Sequence, residues 1–348
     1  MPRQDNVLKQ LKSLSRRIGL DPLQVQGAGG NTSIKIDGNL WIKASGKWLA
    51  NAEEDELFVP VSLSPLIMAL NCDDPRAEKS TDFVVNDLNS SGLRPSIETT
   101  VHAVMDQSVV VHTHCVDTIA LASQTDAPVM LAKILHNFNW LWVPYLRPGL
   151  PLSKYIKRHK QPETNVVILG NHGLVVAADT VGEASFLMEQ VRACLKQTQR
   201  PQHKADTKVL EAYCSNSDYV IADDPKAHSI AFDHDSIDIA INGSLYPDHV
   251  IFLGDAMHCA LPGETVADTA NRIAKATSLL PTCFIVPEKG VLLKSEANPG
   301  QHAMVRCISE VTSRLSKSSK VNYLTDEHVY QLLNWEAEHY RQKLNSRT

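Results

Sequence analysis

The stretch VVVHTH, residues 109–114, places two histidines at the end of an apolar run. Three consecutive valines are typical of a buried strand, because β-branched side chains pack well in a sheet that is covered on both faces. Side chains alternate along a strand with a period of two, so the imidazoles of His112 and His114 are expected to point to the same face. The stretch therefore predicts a central strand that ends in a pair of potential metal ligands.

A third histidine lies in a turn further along the chain. The apolar run VVIL, residues 166–169, predicts another buried strand, and Asn171-His172-Gly173 follows it. Glycine permits a tight backbone at such a turn, so the ring of His172 can project from it. Three imidazole nitrogens at about 2.0–2.1 Å from a zinc ion leave a fourth position open for water or substrate. We therefore expect His112, His114 and His172 to bind one zinc ion, or another divalent transition metal in its place.

The composition excludes several classes of protein. Hydrophobic residues make up 43% of the chain and charged residues 21%, so there is enough apolar material for buried cores and too little charge for a disordered chain. Lys and Arg number 34 against 39 for Asp and Glu. This balance gives no basic excess, so neither nucleic acid nor a membrane is an expected partner. The start of the chain lacks the apolar core of a signal peptide, which favours a cytoplasmic protein.

Cysteine usage agrees with a reducing compartment. The seven cysteines are widely spread and contain no Cys-x-x-Cys pair. This pattern argues against a disulfide framework and against a zinc site built from thiolates.

Short apolar segments alternate between helical and strand periodicity in the first part of the chain. Residues 7–18 predict an amphipathic helix that stops at Gly19, and residues 34–42 predict a hairpin. Residues 64–70 and 96–105 predict further helices. The aromatic residues Trp140, Trp142 and Tyr145 are interpreted as a packed, proline-bounded loop. This alternation predicts an α/β fold, more specifically an α+β layered domain.

A polar segment with a proline, QTQRPQHKADTK at residues 197–208, predicts a domain boundary. We expect a catalytic domain over residues 1–198 and a C-terminal α/β extension without metal ligands over residues 199–348, closed by a helix from Asp326 to Lys343. Residues 167–175 align with residues 284–292, with Lys289 in the position of His172. One interpretation is a degenerate repeat. The other is that strand, glycine turn, strand and helix is a common order of elements.

Five motifs, in this order along the chain, resemble the class II aldolase/adducin head domain family. They are Gly29-Gly30-Asn31-Thr32-Ser33, Lys43-Ala44-Ser45-Gly46, Pro95-Ser96-Ile97-Glu98 with His102, His112-Thr113-His114 and Asn171-His172-Gly173. The resemblance covers roughly residues 27–182. It implies a central antiparallel sheet flanked by helices, and a homo-oligomer, usually a tetramer, with sites near subunit boundaries.

The resemblance also implies roles for individual residues. His112, His114 and His172 would bind zinc, and Glu98 would transfer a proton. The alternative for Glu98 is an ordinary solvated residue on a helix. Gly30, Asn31, Ser45, Gly46 and Ser96 would bind the phosphate of a substrate, since backbone N–H groups and hydroxyls suit an oxyanion. Ordinary turn chemistry is the alternative for these five. His102 is interpreted as a structural residue or as a neighbour of a ligand, and not as a ligand itself. Lys43 and Lys47 are interpreted either as positive charges that add to the phosphate site or as ordinary exposed lysines.

The implied activity is the retro-aldol cleavage of a phosphorylated ketose or a related sugar acid, through an ene-diolate that zinc stabilises. Epimerases, dehydratases and decarboxylases of the family use the same ene-diolate chemistry, and a shared fold does not choose among them. The epimerases of the family have aspartate at the position of Glu98, so the glutamate disfavours epimerisation. Ala132 stands where the aldolases have a tyrosine, which leaves the proton donor unassigned. A non-catalytic, adducin-like interaction module is disfavoured by the complete histidine triad.

Overall fold

The computed structural model describes residues 2–336 of the chain. Within that range the β-strands are Asn31–Ile36 (β1), Asn39–Lys43 (β2), Phe58–Ser62 (β3), Val109–Thr113 (β4), Trp140–Val143 (β5), Val166–Leu169 (β6), Gly173–Ala178 (β7), Tyr219–Ile221 (β8), Cys283–Val286 (β9) and Gly290–Lys294 (β10). The α-helices are Pro2–Gly19 (α1), Leu63–Asn71 (α2), Thr99–Val104 (α3), Val116–Ala122 (α4), Ala127–Ile134 (α5), Leu150–His159 (α6), Val181–Leu195 (α7), Thr207–Cys214 (α8), His234–Ile241 (α9), Pro247–Leu253 (α10), Val266–Thr277 (α11), Pro299–Thr312 (α12) and Asp326–Leu333 (α13). Short 3-10 helices cover Leu49–Asn51, Pro75–Glu78, Ser80–Phe83, Asn86–Leu88 and Pro225–Phe232.

Seven strands form one large sheet, in the order β3-β2-β1-β4-β7-β6-β5. Every neighbouring pair is antiparallel except β5 and β6, which run parallel. The predicted central antiparallel sheet flanked by helices is therefore confirmed, with one parallel strand added at its edge. The strand of valines, β4, lies in the middle of the sheet.

Helices cover both faces of β4. Val109 and Val111 pack in a core with α1 and α7, whereas Val110 packs in a second core with α2, α3 and α6. The period of two along the strand puts His112 on the side of Val110. Helix α1 ends at Gly19 as predicted. Only glycine fits at this position, because a Cβ there would lie 2.1 Å from the backbone nitrogen of Ala50.

The helix predicted for residues 96–105 is shorter in the structure and begins at Thr99. Ser96 is engaged elsewhere: its backbone N–H donates to the carbonyl of Lys43 at 3.0 Å, and its hydroxyl accepts from the backbone N–H of Glu98 at 3.2 Å. These bonds hold residues 96–98 in a turn, so Glu98 stands at the helix N-cap.

The loop interpretation of residues 140–145 was wrong in part. Trp140 and Trp142 belong to β5, in parallel register with Val166 and Ile168 of β6. The closing helix was predicted to continue to Lys343. Helix α13 ends at Leu333, and the predicted continuation beyond residue 336 lies outside the described residues.

The C-terminal half forms a smaller sheet, in the order β8-β10-β9, and packs directly against the first half. One face of α4, with Val116 and Ile119, lies in a core whose other members come from the C-terminal half. Arg314 of the C-terminal half also pairs with Asp117 of α4 at 2.8 Å, and both side chains are largely buried. The two halves therefore share a core, while the boundary near residue 198 stays a prediction.

The sequence echo between the halves corresponds to a repeated backbone arrangement. Asn171 and Glu288 occupy the same place in the β6–β7 and β9–β10 turns, both in the left-handed region, with φ of 53° and 60°. Their N–H groups donate to the carbonyls of Ala122 and Ala231, at 3.1 and 2.8 Å. Each hairpin is then followed by a helix with a capping box, α7 or α12. This agreement in local hydrogen bonding supports the interpretation as a degenerate repeat.

The described part of the chain contains neither a membrane-spanning helix nor a disulfide. No α-helix among residues 2–336 is both long enough and apolar enough to cross a lipid bilayer. None of the seven cysteines forms a disulfide with another.

The core shared by the two halves should contribute to the stability of the fold. The substitution Ile119→Ala removes a fully buried side chain between the halves, so it should lower the free energy of unfolding by about 2–5 kcal/mol. Val129→Ala, at a position 61% exposed, is the control and should change it by less than about 0.5 kcal/mol. Urea denaturation measures both. Equal stability of the two variants would contradict a core shared between the halves.

Candidate metal centre

The pairing of β4 with β7 brings three distant histidines together. His112 is in β4, His114 follows directly after this strand, and His172 lies in the turn that leads into β7. Thr113 pairs with Leu174, so the end of β4 lies beside the start of β7. Only glycine fits at the start of β7, because a Cβ on Gly173 would lie 2.3 Å from the carbonyl oxygen of Thr113.

The three rings form a nearly equilateral triangle. Their centroids lie 5.0 Å apart for His112 and His114, 4.9 Å for His112 and His172, and 5.1 Å for His114 and His172. One ligand atom from each ring and one carboxylate oxygen of Glu98 lie within 4.8 Å of one another, and all four residues are buried. The structure thus brings together all three predicted ligands and the predicted proton-transfer residue.

Glu98 enters the cluster from the N-cap of α3. Its Oε2 lies 3.4 Å from Nε2 of His112, and its Oε1 lies 3.6 Å from Nε2 of His172. The side-chain amide of Asn31, at the start of β1, donates to Oε2 at 2.7 Å. Asn31, which was predicted to bind phosphate, thus also contacts the carboxylate of Glu98 through its amide.

The distances fit a shared cation better than direct hydrogen bonds. Hydrogen bonds between nitrogen and oxygen are usually 2.7–3.2 Å long, and both contacts of Glu98 with the histidines are longer. Nε2 of His112 and of His114 are buried without a hydrogen-bond partner among the described residues, as expected for atoms that face an ion.

The ring of His112 is held in a form that can bind a metal. Its Nδ1 lies 3.0 Å from the carbonyl oxygen of Leu174, so Nδ1–H donates there and the lone pair of Nε2 faces the cluster. Burial is the main cause that lowers the pKa of His112, which keeps the imidazole neutral near pH 7. A neutral imidazole is the form that coordinates a divalent cation.

His114 has a partner from the C-terminal half. Its Nδ1 lies 3.1 Å from Oδ2 of Asp248, which belongs to α10 and is 2% exposed. Residues 199–348 were predicted to contain no metal ligands, and the sequence left their role open. A signal was nevertheless present, because Asp248 precedes the apolar stretch VIFL, residues 250–253, and a charged residue inside a buried helix requires a partner.

The predicted phosphate-binding residues line one cavity beside the cluster. Its walls include Gly30, Asn31, Ser45, Gly46 and Ser96, together with Glu98 and His114. Lys43 also lines this cavity. Of the two interpretations of Lys43, the exposed lysine is excluded, because Lys43 is 2% exposed and its Nζ donates to the carbonyl of Ala28 at 2.8 Å. Lys47 is half-exposed and pairs with Asp55.

His102 lies outside the cluster. It is fully buried, and its Nδ1 is 2.7 Å from the hydroxyl of Ser33. Burial lowers the pKa of His102 well below its usual value, so the ring is neutral. Its position agrees with the structural interpretation made from the sequence.

Comparisons with known proteins point to one family. Residues 10–198, more than half of the 348 residues, match the family described as Class II Aldolase and Adducin N-terminal domain. The chain is 31% identical over 185 residues to the uncharacterized oxidoreductase YuxG of Bacillus subtilis (strain 168); the match covers 50% of this chain and only 27% of that protein.

Two solved structures illustrate the similarity. One is the N-terminal class II aldolase domain of a conserved protein from Thermoplasma acidophilum, with 27% identity and a TM-score of 0.47; the match covers 53% of this chain and 90% of that one. The other is YgbL from Klebsiella pneumoniae, described as an aldolase, epimerase or decarboxylase, with 20% identity and a TM-score of 0.40; the match covers 55% of this chain and 87% of that one.

From the cluster we expect one bound metal ion per chain. Protein purified without chelator should contain about one divalent transition metal ion per chain, and His112→Ala should lose most of it, because one of three imidazole ligands is gone. Elemental analysis by mass spectrometry measures this content. His136→Ala, which removes an exposed histidine, controls for adventitious surface binding and should keep the metal. Unchanged metal content in the His112 variant would refute the ligand assignment.

Proposed function

Because the chain belongs to the class II aldolase and adducin N-terminal domain family, we propose that it is a metal-dependent carbon–carbon lyase. The proposed reaction is the retro-aldol cleavage of a phosphorylated ketose or a related sugar acid. The observation that carries this proposal is the buried cluster of Glu98, His112, His114 and His172. A non-catalytic interaction module would have no use for four converging polar groups in its interior.

His112, His114 and His172 are the proposed ligands of a zinc ion. When bound, such an ion supplies Lewis-acid chemistry to a carbonyl and its neighbouring hydroxyl, which stabilises the ene-diolate of a retro-aldol step. Because neutral imidazoles add no negative charge, these three residues preserve the electrophilic character of the site. Their burial removes water from around the reacting oxygens and so strengthens electrostatic interactions there.

Glu98 is the proposed proton-transfer residue. In the cleavage direction a base accepts the hydroxyl proton of the carbon that becomes the aldehyde, the carbon–carbon bond breaks, and its electron pair passes to the ene-diolate. The carboxyl group of Glu98 then gives a proton to the carbon that is left behind. Asn31 holds Oε2 of this carboxylate at 2.7 Å, which fixes the orientation of the group beside the cavity. The residue that accepts the hydroxyl proton of the leaving aldehyde is not Ala132, which is exposed on α5 and has no titratable group.

An anionic group of the substrate would bind in the cavity next to Glu98. Ser45 and Ser96 offer hydroxyls there, Gly30 and Gly46 leave room for a close approach of the ligand, and Lys43 adds a buried positive charge. A phosphate or a carboxylate satisfies such a set of donors. This arrangement supports a phosphorylated ketose or a sugar acid as the substrate.

The family also suggests the state in which the enzyme works. We propose a homo-oligomer, a tetramer as is usual for the family, that acts on its sugar substrate in the cytoplasm.

The proposed reaction can be tested on a panel of ketose phosphates, their unphosphorylated counterparts and sugar acids. We expect the metal-loaded protein to release an aldehyde from a phosphorylated or acidic member, and Glu98→Gln to lower kcat by about 10²–10⁴-fold at unchanged metal content, because the amide cannot transfer the proton. A coupled assay for the released carbonyl measures this.

Glu54→Gln, at a surface position that pairs with Arg16, is the matched control and should keep full activity. Release of carbon dioxide or formation of an epimer, without carbonyl release, would replace the lyase by a decarboxylase or an epimerase. Full activity of the Glu98 variant would refute its role in proton transfer.

A further inference from the structure

We propose that Asp248, from the C-terminal half of the chain, is a positioning residue that fixes the orientation and tautomer of His114 for metal binding. The inference rests on the metal centre of the proposed function and adds a residue from outside the region that matches the family, which ends at residue 198. It also gives the C-terminal half a direct part in the site.

The contact between the two side chains is direct and buried. Oδ2 of Asp248 lies 3.1 Å from Nδ1 of His114, and side-chain exposures are 2% and 7%. At this depth a carboxylate requires a hydrogen-bond donor, because an unpaired buried charge strongly destabilises the fold. A buried imidazole likewise requires a defined partner for its N–H group.

The geometry selects one tautomer of His114. A carboxylate only accepts hydrogen bonds, so Nδ1 of the neutral ring must carry the proton and donate it to Asp248. The lone pair then resides on Nε2, which is buried within the cluster and has no hydrogen-bond partner among the described residues. His112 is oriented in the same way by a backbone carbonyl, that of Leu174. For His114 the acceptor is a carboxylate, which makes the hydrogen bond stronger than one to a backbone carbonyl.

The surrounding backbone leaves space for this pair. A Cβ on Gly29 would lie 2.8 Å from Nδ1 of His114 and 3.0 Å from Oδ2 of Asp248, so a larger residue would push them apart. Asp248 itself is held by α10, whose Val250, Phe252 and Leu253 are buried in the core that α4 shares with the C-terminal half. The carboxylate therefore comes from a rigid element, and a rigid second partner is what orients a ligand for its ion.

The experiment compares metal affinity in full-length variants. Asp248→Asn keeps the size of the side chain and removes its charge, so we expect it to weaken zinc binding by about 10–100-fold. Competition with a chromophoric chelator at one fixed pH measures the affinity. Thermal unfolding in excess chelator measures the metal-free fold, and the unfolding midpoint of this variant should stay close to that of the wild type.

The chain offers a matched control. Asp223 pairs with Nδ1 of His302 at 3.0 Å in the same half of the chain, but its side chain is 81% exposed and lies outside the cluster. Asp223→Asn should leave zinc affinity unchanged. Equal affinity of the Asp248 variant and the wild type would overturn this inference and leave the metal centre intact. A wild type that binds no zinc would overturn the metal centre itself, and this inference with it.

A second measurement uses the wild-type protein and so needs no variant. Nitrogen-15 NMR of the imidazole side chains in the zinc-loaded wild type should show His114 with a proton on Nδ1, protected from exchange, and with Nε2 bound to the metal. A proton on Nε2 of His114, with Nδ1 bound to the metal, would contradict the proposal.

Discussion

Four polar side chains meet in the interior of this protein, and a shared positive charge is the simplest way to stabilise them there. Glu98, His112, His114 and His172 are all buried, and their ligand atoms converge within 4.8 Å. Nε2 of His112 and Nε2 of His172 lie 3.4 and 3.6 Å from the carboxylate oxygens of Glu98, which is too far for a good hydrogen bond. Packed side by side in a low-dielectric interior without a cation, such groups would destabilise the fold.

Several elements of the fold bring these four side chains together. Antiparallel pairing of β4 with β7 brings the ends of two strands together, and Gly173 allows the backbones to approach. The turn before α3 presents Glu98 from the opposite side, and Asn31 holds its carboxylate. The C-terminal half shares a core with α4 and reaches the centre through Asp248. The half of the chain that has Lys289 in the position of His172 thus still contributes a side chain beside the cluster.

Local patterns in the sequence were sufficient for much of this. The sequence predicted the valine strand β4, the helix that stops at Gly19 and the three histidines. Hydrophobic periodicity and turn residues can be recognised from residues that are neighbours in the chain. The start of α3 was misplaced because Ser96 bonds to the distant strand β2, and β5 was missed because its partner β6 lies across a long crossover. The burial of Lys43 and the pairing of Asp248 with His114 also depend on contacts between distant segments. A single sequence can indicate that a residue such as Asp248 needs a partner, but it does not identify that partner.

The coordination shell of the bound metal tests the central claim most directly. X-ray absorption spectroscopy on the protein as purified should show imidazole scattering and a first shell of nitrogen and oxygen at about 2.0–2.1 Å, with three histidine ligands and no sulfur. A shell of oxygen atoms without imidazole scattering, or one that contains thiolate sulfur, would contradict the convergence of His112, His114 and His172 on a single ion.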